Sequence, residues 1–373
     1  MENILFSDLK ISEEIQRAVR DLGYTETTPI QAKAIPIVMA GKDLIGNSQT
    51  GTGKTCAFVI PAIESIDLEN YKVQVLVLCP TRELAVQTCE EVRKLTKYTH
   101  GIGCVAIYGG EPIYKQIKDM KRNPQIVVGT PGRIMDHMRR RTLKLDMVKM
   151  VILDEADEML NMGFINDMEI ILTSCPKERQ TLLFSATMSR DILQLTKKYQ
   201  NNPEHIKMPS TSLTVDNIEQ LCCDVPVGYK TEILFSLLEK HKPQKSLIFC
   251  NTKSQVDRLV KQLASKGLHV DAIHGDMKQC IRSKVMDLYK KGVLDILVAT
   301  DVAARGIDVN GIDAVFNYDI PLDKEFYVHR IGRTARAGKS GKAFTFACGR
   351  KELASVKDIA RYTNSEIKVE TRF

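Results

Sequence analysis

Short apolar runs rich in Val, Ile and Leu alternate along the chain with longer stretches in which apolar residues recur at helical spacing. A parallel strand buried on both faces reads as an unbroken apolar run, so this alternation predicts βαβ units feeding a parallel sheet. The runs at 43–46, 73–79, 126–129, 151–153 and 181–184 are strand candidates, and a second series follows at 246–250, 270–273, 296–299, 314–318 and 343–346. Between the series, residues 208–215 are polar and β-branched with one proline, the composition of an exposed connector. The expected organisation is an α/β chain of two tandem domains, 1–207 and 217–373, joined by a linker at 208–216. Each would be a mostly parallel sheet with helices on both faces.

Length agrees with two domains: the chain has 373 residues, and single cores stop growing near ~250–300. Hydrophobic residues make up 43% and charged residues 27%, a globular balance. No segment approaches the ~18 uninterrupted apolar residues of a membrane span, and residues 1–10 lack the pattern of a signal peptide, so no membrane partner and a cytoplasmic location are expected. The ten cysteines are scattered, several inside apolar runs, and none forms a CxxC pair, which predicts reduced, partly buried thiols. Adjacent Cys222 and Cys223 read as strand residues. The formal net charge of +7 suits an anionic partner, while the run Arg139-Arg140-Arg141 reads as a solvated helix end.

Candidate chemistry begins at Ser48-Gln49-Thr50-Gly51-Thr52-Gly53-Lys54-Thr55, which follows a strand candidate and precedes a helical segment. A glycine-rich turn there aims backbone N–H groups and the positive end of a helix at phosphate oxygens. Lys54 would reach the β and γ phosphates, and the Thr55 hydroxyl would ligand Mg²⁺. The strict pattern places Gly where this chain has Ser48. Downstream, the apolar run ending at Leu153 delivers Asp154 and Glu155 at a strand's carboxyl end, the edge where open α/β sheets bind ligands. Asp154 suits a metal-holding aspartate, and Glu155 is placed to orient and deprotonate an attacking water.

Asp154-Glu155-Ala156-Asp157 is the tetrapeptide that names the DEAD-box family, and the chain resembles that family from Phe6 to about Phe346. The segment Gly23 to Gln31 looks like the family's Q motif, with Phe6 as its upstream aromatic. A glutamine amide can pair with the N6 donor and N7 acceptor of adenine, and an aromatic ring can stack on the base, which implies ATP as the nucleotide. Further matches, in the family's order, are 80–85, Gly109-Gly110, Thr130 to Arg133, Ser185 to Thr187, 248–252, 279–282, 299–308 and 329–336. Ser48 and Ala335 depart from the usual residues, the latter standing where Gly is common. Details at Ser48 to Gly51, at Asp154 to Phe164 and at Asn202 to Ile206 resemble the bacterial DbpA and YxiN group. Those proteins carry an added RRM-like RNA-binding domain, and this chain ends before one, as a core fragment or as a naturally minimal member.

The resemblance implies two RecA-like domains binding ATP and RNA. Residues 48–55 with Phe6, Gln31 and Asp308 would hold ATP. Lys54, Asp154, Glu155, His329, Arg333 and Arg336 would serve catalysis, and Thr55 and Asp154 would hold Mg²⁺, partly through water. Thr81, Arg82, Gly109, Gly110, Thr130 and Arg133 in the first domain, with Thr252, Arg282 and Thr300 in the second, would contact the RNA backbone. Hydroxyls, glycine N–H groups and a few arginines suit phosphates and 2′-OH groups and carry no base code. Asp157, Ser185 and Thr187 would couple hydrolysis to strand separation. The implied function is an RNA-stimulated ATPase, a monomer, that locally unwinds short duplexes or remodels RNA–protein complexes, with partners among ribosome-assembly or RNA-decay proteins. Three alternatives stand beside it: an ATP-dependent RNA clamp, a DNA helicase of the same superfamily, and an inactive binding module.

Overall fold

The structure is a computed structural model that describes residues 4–48, 52–208, 217–304, 311–335 and 340–370. The chain forms two compact units, Met1–Pro209 and Ser210–Phe373. The first holds β1 (Leu44–Asn47), β2 (Val75–Leu78), β3 (Cys104–Ile107), β4 (Ile126–Gly129), β5 (Met150–Leu153), β6 (Gln180–Ser185) and β7 (Glu204–Lys207), in the order β3-β4-β2-β5-β6-β1-β7. The second holds β8 (Ile218–Asp224), β9 (Ser246–Phe249), β10 (Val270–Ile273), β11 (Ile296–Ala299), β12 (Ala314–Asn317), β13 (Gly341–Ala347) and β14 (Lys368–Glu370). Their order is β10-β11-β9-β12-β13-β8-β14. Subtracting seven from each label of the second sheet reproduces the first, so the two units are topological repeats. Every pairing between named strands is parallel, the architecture expected of tandem RecA-like domains.

The apolar runs form strands because each is covered on both faces. Along β2, Val75 and Val77 enter one core with Leu44, Ile152 and Phe184, while Leu76 and Leu78 enter the opposite core with Ile45, Val151 and Leu183. Period-two alternation thus feeds two separate cores from one strand, and a slip of one residue would exchange them. The second sheet repeats the device, with Ile248 in one core and Leu247 and Phe249 in another. Four strands were not among the sequence candidates: β3, β7, β8 and β14. Three of them are sheet edges. Residues 209–216, most of the expected linker, lie outside the described residues. All ten cysteines are free, with Cys222 and Cys223 buried in β8. Residues 139–141 are an exposed helix end. No helix among the described residues is long and apolar enough to cross a membrane.

Candidate active site

In the first unit the chain leaves β1, passes the glycine-rich turn and enters helix Lys54–Glu64. Gln49, Thr50 and Gly51 lie outside the described residues. Ser48 N–H donates to the Ser185 carbonyl, fixing the start of the turn to the end of neighbouring β6. The turn ends on Gly53, whose φ of +85° is left-handed and suits glycine. A Cβ there would also stand 2.6 Å from Gln31 Nε2. That nitrogen donates to the Gly53 carbonyl at 3.0 Å, and Gln31 Oε1 accepts from Thr28 N at 2.8 Å. The expected base-reading amide is therefore anchored to the phosphate turn itself, with one further N–H and one further lone pair left to recognise a ligand. Phe6, expected to stack on the base, is a core residue only 4% exposed, its ring stacked against Tyr24 at 6.4 Å.

Lys54 opens the helix, buried, with Nζ donating to the Ser48 carbonyl at 3.1 Å. Thr55 follows it, half-buried, and Thr52 Oγ1 lies 3.4 Å from Ser48 Oγ. Asp154 stands just past β5, 3% exposed, and its Oδ1 has no hydrogen-bond partner among the described residues. Burial pushes its carboxyl up to about 7; the Lys54 charge opposes the rise, and the Glu155 and Asp157 charges add to it. An unpartnered buried carboxylate oxygen is costly unless a cation or donor meets it. Both it and the Thr55 hydroxyl are oxygen donors, the chemistry that a hard cation completed by phosphate and water would take. Glu155 takes φ 50°, a left-handed conformation uncommon for a side chain larger than Gly, as N-cap of helix Ala156–Asn161.

One helical position on, Asp157 Oδ2 accepts from Ala186 N at 3.1 Å, Thr187 N at 2.8 Å and Thr187 Oγ1 at 3.1 Å. Ser185 Oγ donates to the Thr187 carbonyl at 2.6 Å. Asp157, Ser185 and Thr187, grouped on sequence grounds, thus form one hydrogen-bonded cluster at the ends of β5 and β6.

The expected RNA readers of this unit sit at the ends of β2, β3 and β4, which are neighbours in the sheet. Thr81 and Thr130 are N-caps of helices Arg82–Leu95 and Pro131–Arg139, and Thr81 Oγ1 accepts from Leu84 N at 3.3 Å. Gly110 has φ +84°, and any Cβ there would collide with the Arg82 guanidinium, so Arg82 lies on the Gly109–Gly110 turn. Arg133 Nη1 donates to the Glu111 carbonyl at 3.0 Å. Two guanidiniums therefore converge on one turn, and the Arg82 charge adds to burial in lowering the Arg133 pKa.

In the second unit, Thr252 caps helix Lys253–Ser265 after β9, and Thr300 follows β11 at the start of the Asp301–Ala304 turn. Arg282 is buried, with Nη2 donating to the Ala303 carbonyl at 3.3 Å. Arg333 Nε donates to the His329 carbonyl at 3.3 Å, one turn earlier. Asp308 and Arg336 lie outside the described residues. Ala335 takes φ 55°, which explains why glycine is usual at that place: the left-handed region strains a Cβ.

Two residues to which the sequence reading assigned no role organise these edges. Arg330, 1% exposed, pairs with Asp301 through Nε and Nη2 and donates from Nη2 to Asn251 Oδ1 at 2.9 Å and from Nη1 to the Asp319 carbonyl at 2.6 Å. It thereby ties together the ends of β9, β11 and β12. Gln116 is the other, in contact with Arg133. A string of arginines gives no local sign of which one is buried, and a lone glutamine gives none either.

The chain matches the model of the DEAD/DEAH box helicase domain over residues 28–195 and that of the helicase conserved C-terminal domain over 229–338. It is 48% identical over 363 residues to the DEAD-box ATP-dependent RNA helicase CshA of Geobacillus kaustophilus, covering 97% of this chain and 77% of that protein. The ATP-dependent RNA helicase CshA of Listeria monocytogenes is 51% identical over 341 residues, 91% of this chain and 65% of that one. These named relatives are CshA proteins. Among solved structures, Saccharomyces cerevisiae Dbp5 bound to RNA and ADP BeF3 superposes with a TM-score of 0.88 at 31% identity, covering 98% of this chain and 95% of that one. A DEAD box protein from Methanococcus jannaschii gives 0.57 at 44% identity, covering 99% and 100%. With the phosphate turn, the Asp154–Asp157 segment and the paired sheets in place, the chain belongs to the DEAD-box ATP-dependent RNA helicases.

Proposed function

We propose that the chain is an RNA-stimulated ATPase that grips the RNA backbone without base specificity and uses ATP hydrolysis to open short duplexes or remodel RNA–protein complexes. The observation that carries this reading is the Asp157 cluster. The segment bearing the candidate base, Glu155, is hydrogen-bonded to residues 185–187, so events at the nucleotide reach a second strand end through named contacts. Lys54, at a helix start, would hold the β and γ phosphates, with the N–H groups of the turn. Gln31 would read adenine with its two remaining hydrogen-bonding positions, and Asp308 would hold the ribose. Glu155 would take a proton from the attacking water, aided in alignment by His329, while Arg333 and Arg336 would balance charge on the transferred phosphoryl group. Mg²⁺, held by Asp154 and the Thr55 hydroxyl, would supply charge neutralisation at the phosphates. Thr81, Arg82, Gly109, Gly110, Thr130, Arg133, Thr252, Arg282 and Thr300 would contact phosphates and 2′-OH groups.

The free thiols support a cytoplasmic location, and the family resemblance supports a monomer whose partners include ribosome-assembly or RNA-decay proteins. The test is ATP turnover of the purified chain with and without single-stranded RNA, beside a matched DNA oligonucleotide and a Glu155→Gln variant. Stimulation by RNA, little by DNA, and loss in the variant are expected. Equal turnover with and without RNA would sink the coupling.

A further inference from the structure

Helix Ile113–Met120 has one buried residue, and it is the polar Gln116, 2% exposed. Its amide is engaged at both ends: Oε1 accepts from Arg133 Nη1 at 3.0 Å and faces His137 Nε2 at 3.3 Å, while Nε2 donates to the Tyr108 carbonyl at 2.9 Å. His137 is itself buried, and burial with the neighbouring Arg133 charge depresses its pKa to about 4. The ring is then neutral, with Nε2 facing the Gln116 carbonyl oxygen and Nδ1 lying 2.9 Å from the Thr142 hydroxyl. An apolar residue would dock this helix without desolvating an amide, so the amide is not explained by packing. Its partners define what it does. Tyr108 leads into the Gly109–Gly110–Glu111 turn, and Arg133 reaches across that turn to the Glu111 carbonyl. Arg82 covers the same turn from the other side.

We infer that Gln116 is a positioning residue for RNA: it fixes the Arg133 guanidinium and the Gly109–Glu111 turn in the geometry that receives a backbone phosphate. This rests on the RNA-contact reading above. Without the amide, Arg133 keeps its charge but loses a fixed direction, and one end of the turn loses its tether.

The experiment measures the single-stranded RNA concentration that half-saturates ATP turnover, and the turnover at saturation, for Gln116→Leu, Gln116→Glu, Arg133→Ala and Gln116→Leu combined with Arg133→Ala. Thermal melting of each variant accompanies it. Gln116→Leu is expected to raise half-saturating RNA about 10-fold, the scale of one lost hydrogen bond to a charged group, with saturated turnover within about 2-fold. Gln116→Glu, which still accepts from Arg133, should remain within about 3-fold of the parent, and it decides the matter if the leucine variant does not fold. In the Arg133→Ala background Gln116→Leu should add much less than it does alone, the remainder being the lost turn tether. If Arg133→Ala weakens RNA and Gln116→Leu does not, or if their effects add in full, the positioning role is wrong and the RNA reading stands. If Arg133→Ala has no effect on RNA, the RNA reading of this edge falls and the inference falls with it.

Discussion

Helix Lys54–Glu64 follows β1 and helix Lys230–His241 follows β8, so Lys54 and Lys230 open helices at corresponding points of the repeated sheet order. Asp154 follows β5, and Asp319 follows its counterpart β12. In the second unit these groups satisfy one another: Lys230 Nζ lies 3.5 Å from Asp319 Oδ1 and 3.8 Å from Glu352 Oε2, and Asp319 Oδ2 accepts from Asn251 N at 3.0 Å. In the first unit Lys54 rests on a neutral carbonyl, and Asp154 keeps an oxygen without a partner among the described residues. The same scaffold position is closed by its own ion pair in one repeat and held at a desolvation cost in the other. Only the second arrangement has something to gain from a polyanion and its cation. The opposite edge behaves differently. Thr81 after β2 corresponds to Thr252 after β9, and Thr130 after β4 to Thr300 after β11, so the proposed RNA edge is present in both repeats while the phosphate edge is present in one.

The largest effect should come from breaking the lysine comparison. Lys54→Ala is expected to lower RNA-stimulated ATP turnover about 10²–10³-fold, the loss typical of one preorganised charge donor, while Lys230→Ala stays within about 3-fold. Comparable losses would give the second site a part in the chemistry. Next comes Arg330, which ties the ends of β9, β11 and β12 together. Arg330→Met removes a buried guanidinium from the partly exposed Asp301 and from its other acceptors, and should cost about 2–4 kcal/mol in denaturant unfolding; a loss under about 1 kcal/mol would mean the network adds nothing.

The smallest effect concerns pH within the first unit. Folded His137 titrates near 4, below its ordinary 6.5, so between those values the unfolded chain binds more protons and this residue makes stability rise with pH. Asp154 titrates near 7 in the fold against an ordinary 3.8, so the folded chain binds more protons and stability falls as pH rises through that window. The two contributions oppose each other where the windows overlap. Asp154→Asn should therefore make stability climb more steeply between about pH 4.5 and 6.5, by at most about 1.4 kcal/mol per pH unit. Urea midpoints at the two pH values check it, and an unchanged slope would mean that the Asp154 carboxyl is not raised.

Most of the fold was legible because central parallel strands are buried on both faces and therefore read as apolar runs. β7, Glu-His-Ile-Lys, escaped notice because as an edge strand it buries only Ile206, and β3 because it is half-exposed. β8 mixes Glu219 and Gln220 into an interior strand, hiding the run. Asp154 and Glu155 were readable because an acid directly after a buried strand is local information. Arg330 and Gln116 were not, since their importance comes from partners on three and two other segments, respectively, that only the folded chain assembles. Phe6 was legible as an aromatic at the right place, but its seat in the core is a tertiary fact.

If Gln31 reads the base as proposed, its bond from Nε2 to the Gly53 carbonyl would make one side chain answerable to two parts of a nucleotide. A purine that mispairs with this amide would tug on the same turn that is proposed to cradle the phosphates. Selection among nucleotides would then be registered as slower chemistry as well as weaker capture, a form of fidelity that a binding measurement alone would underestimate.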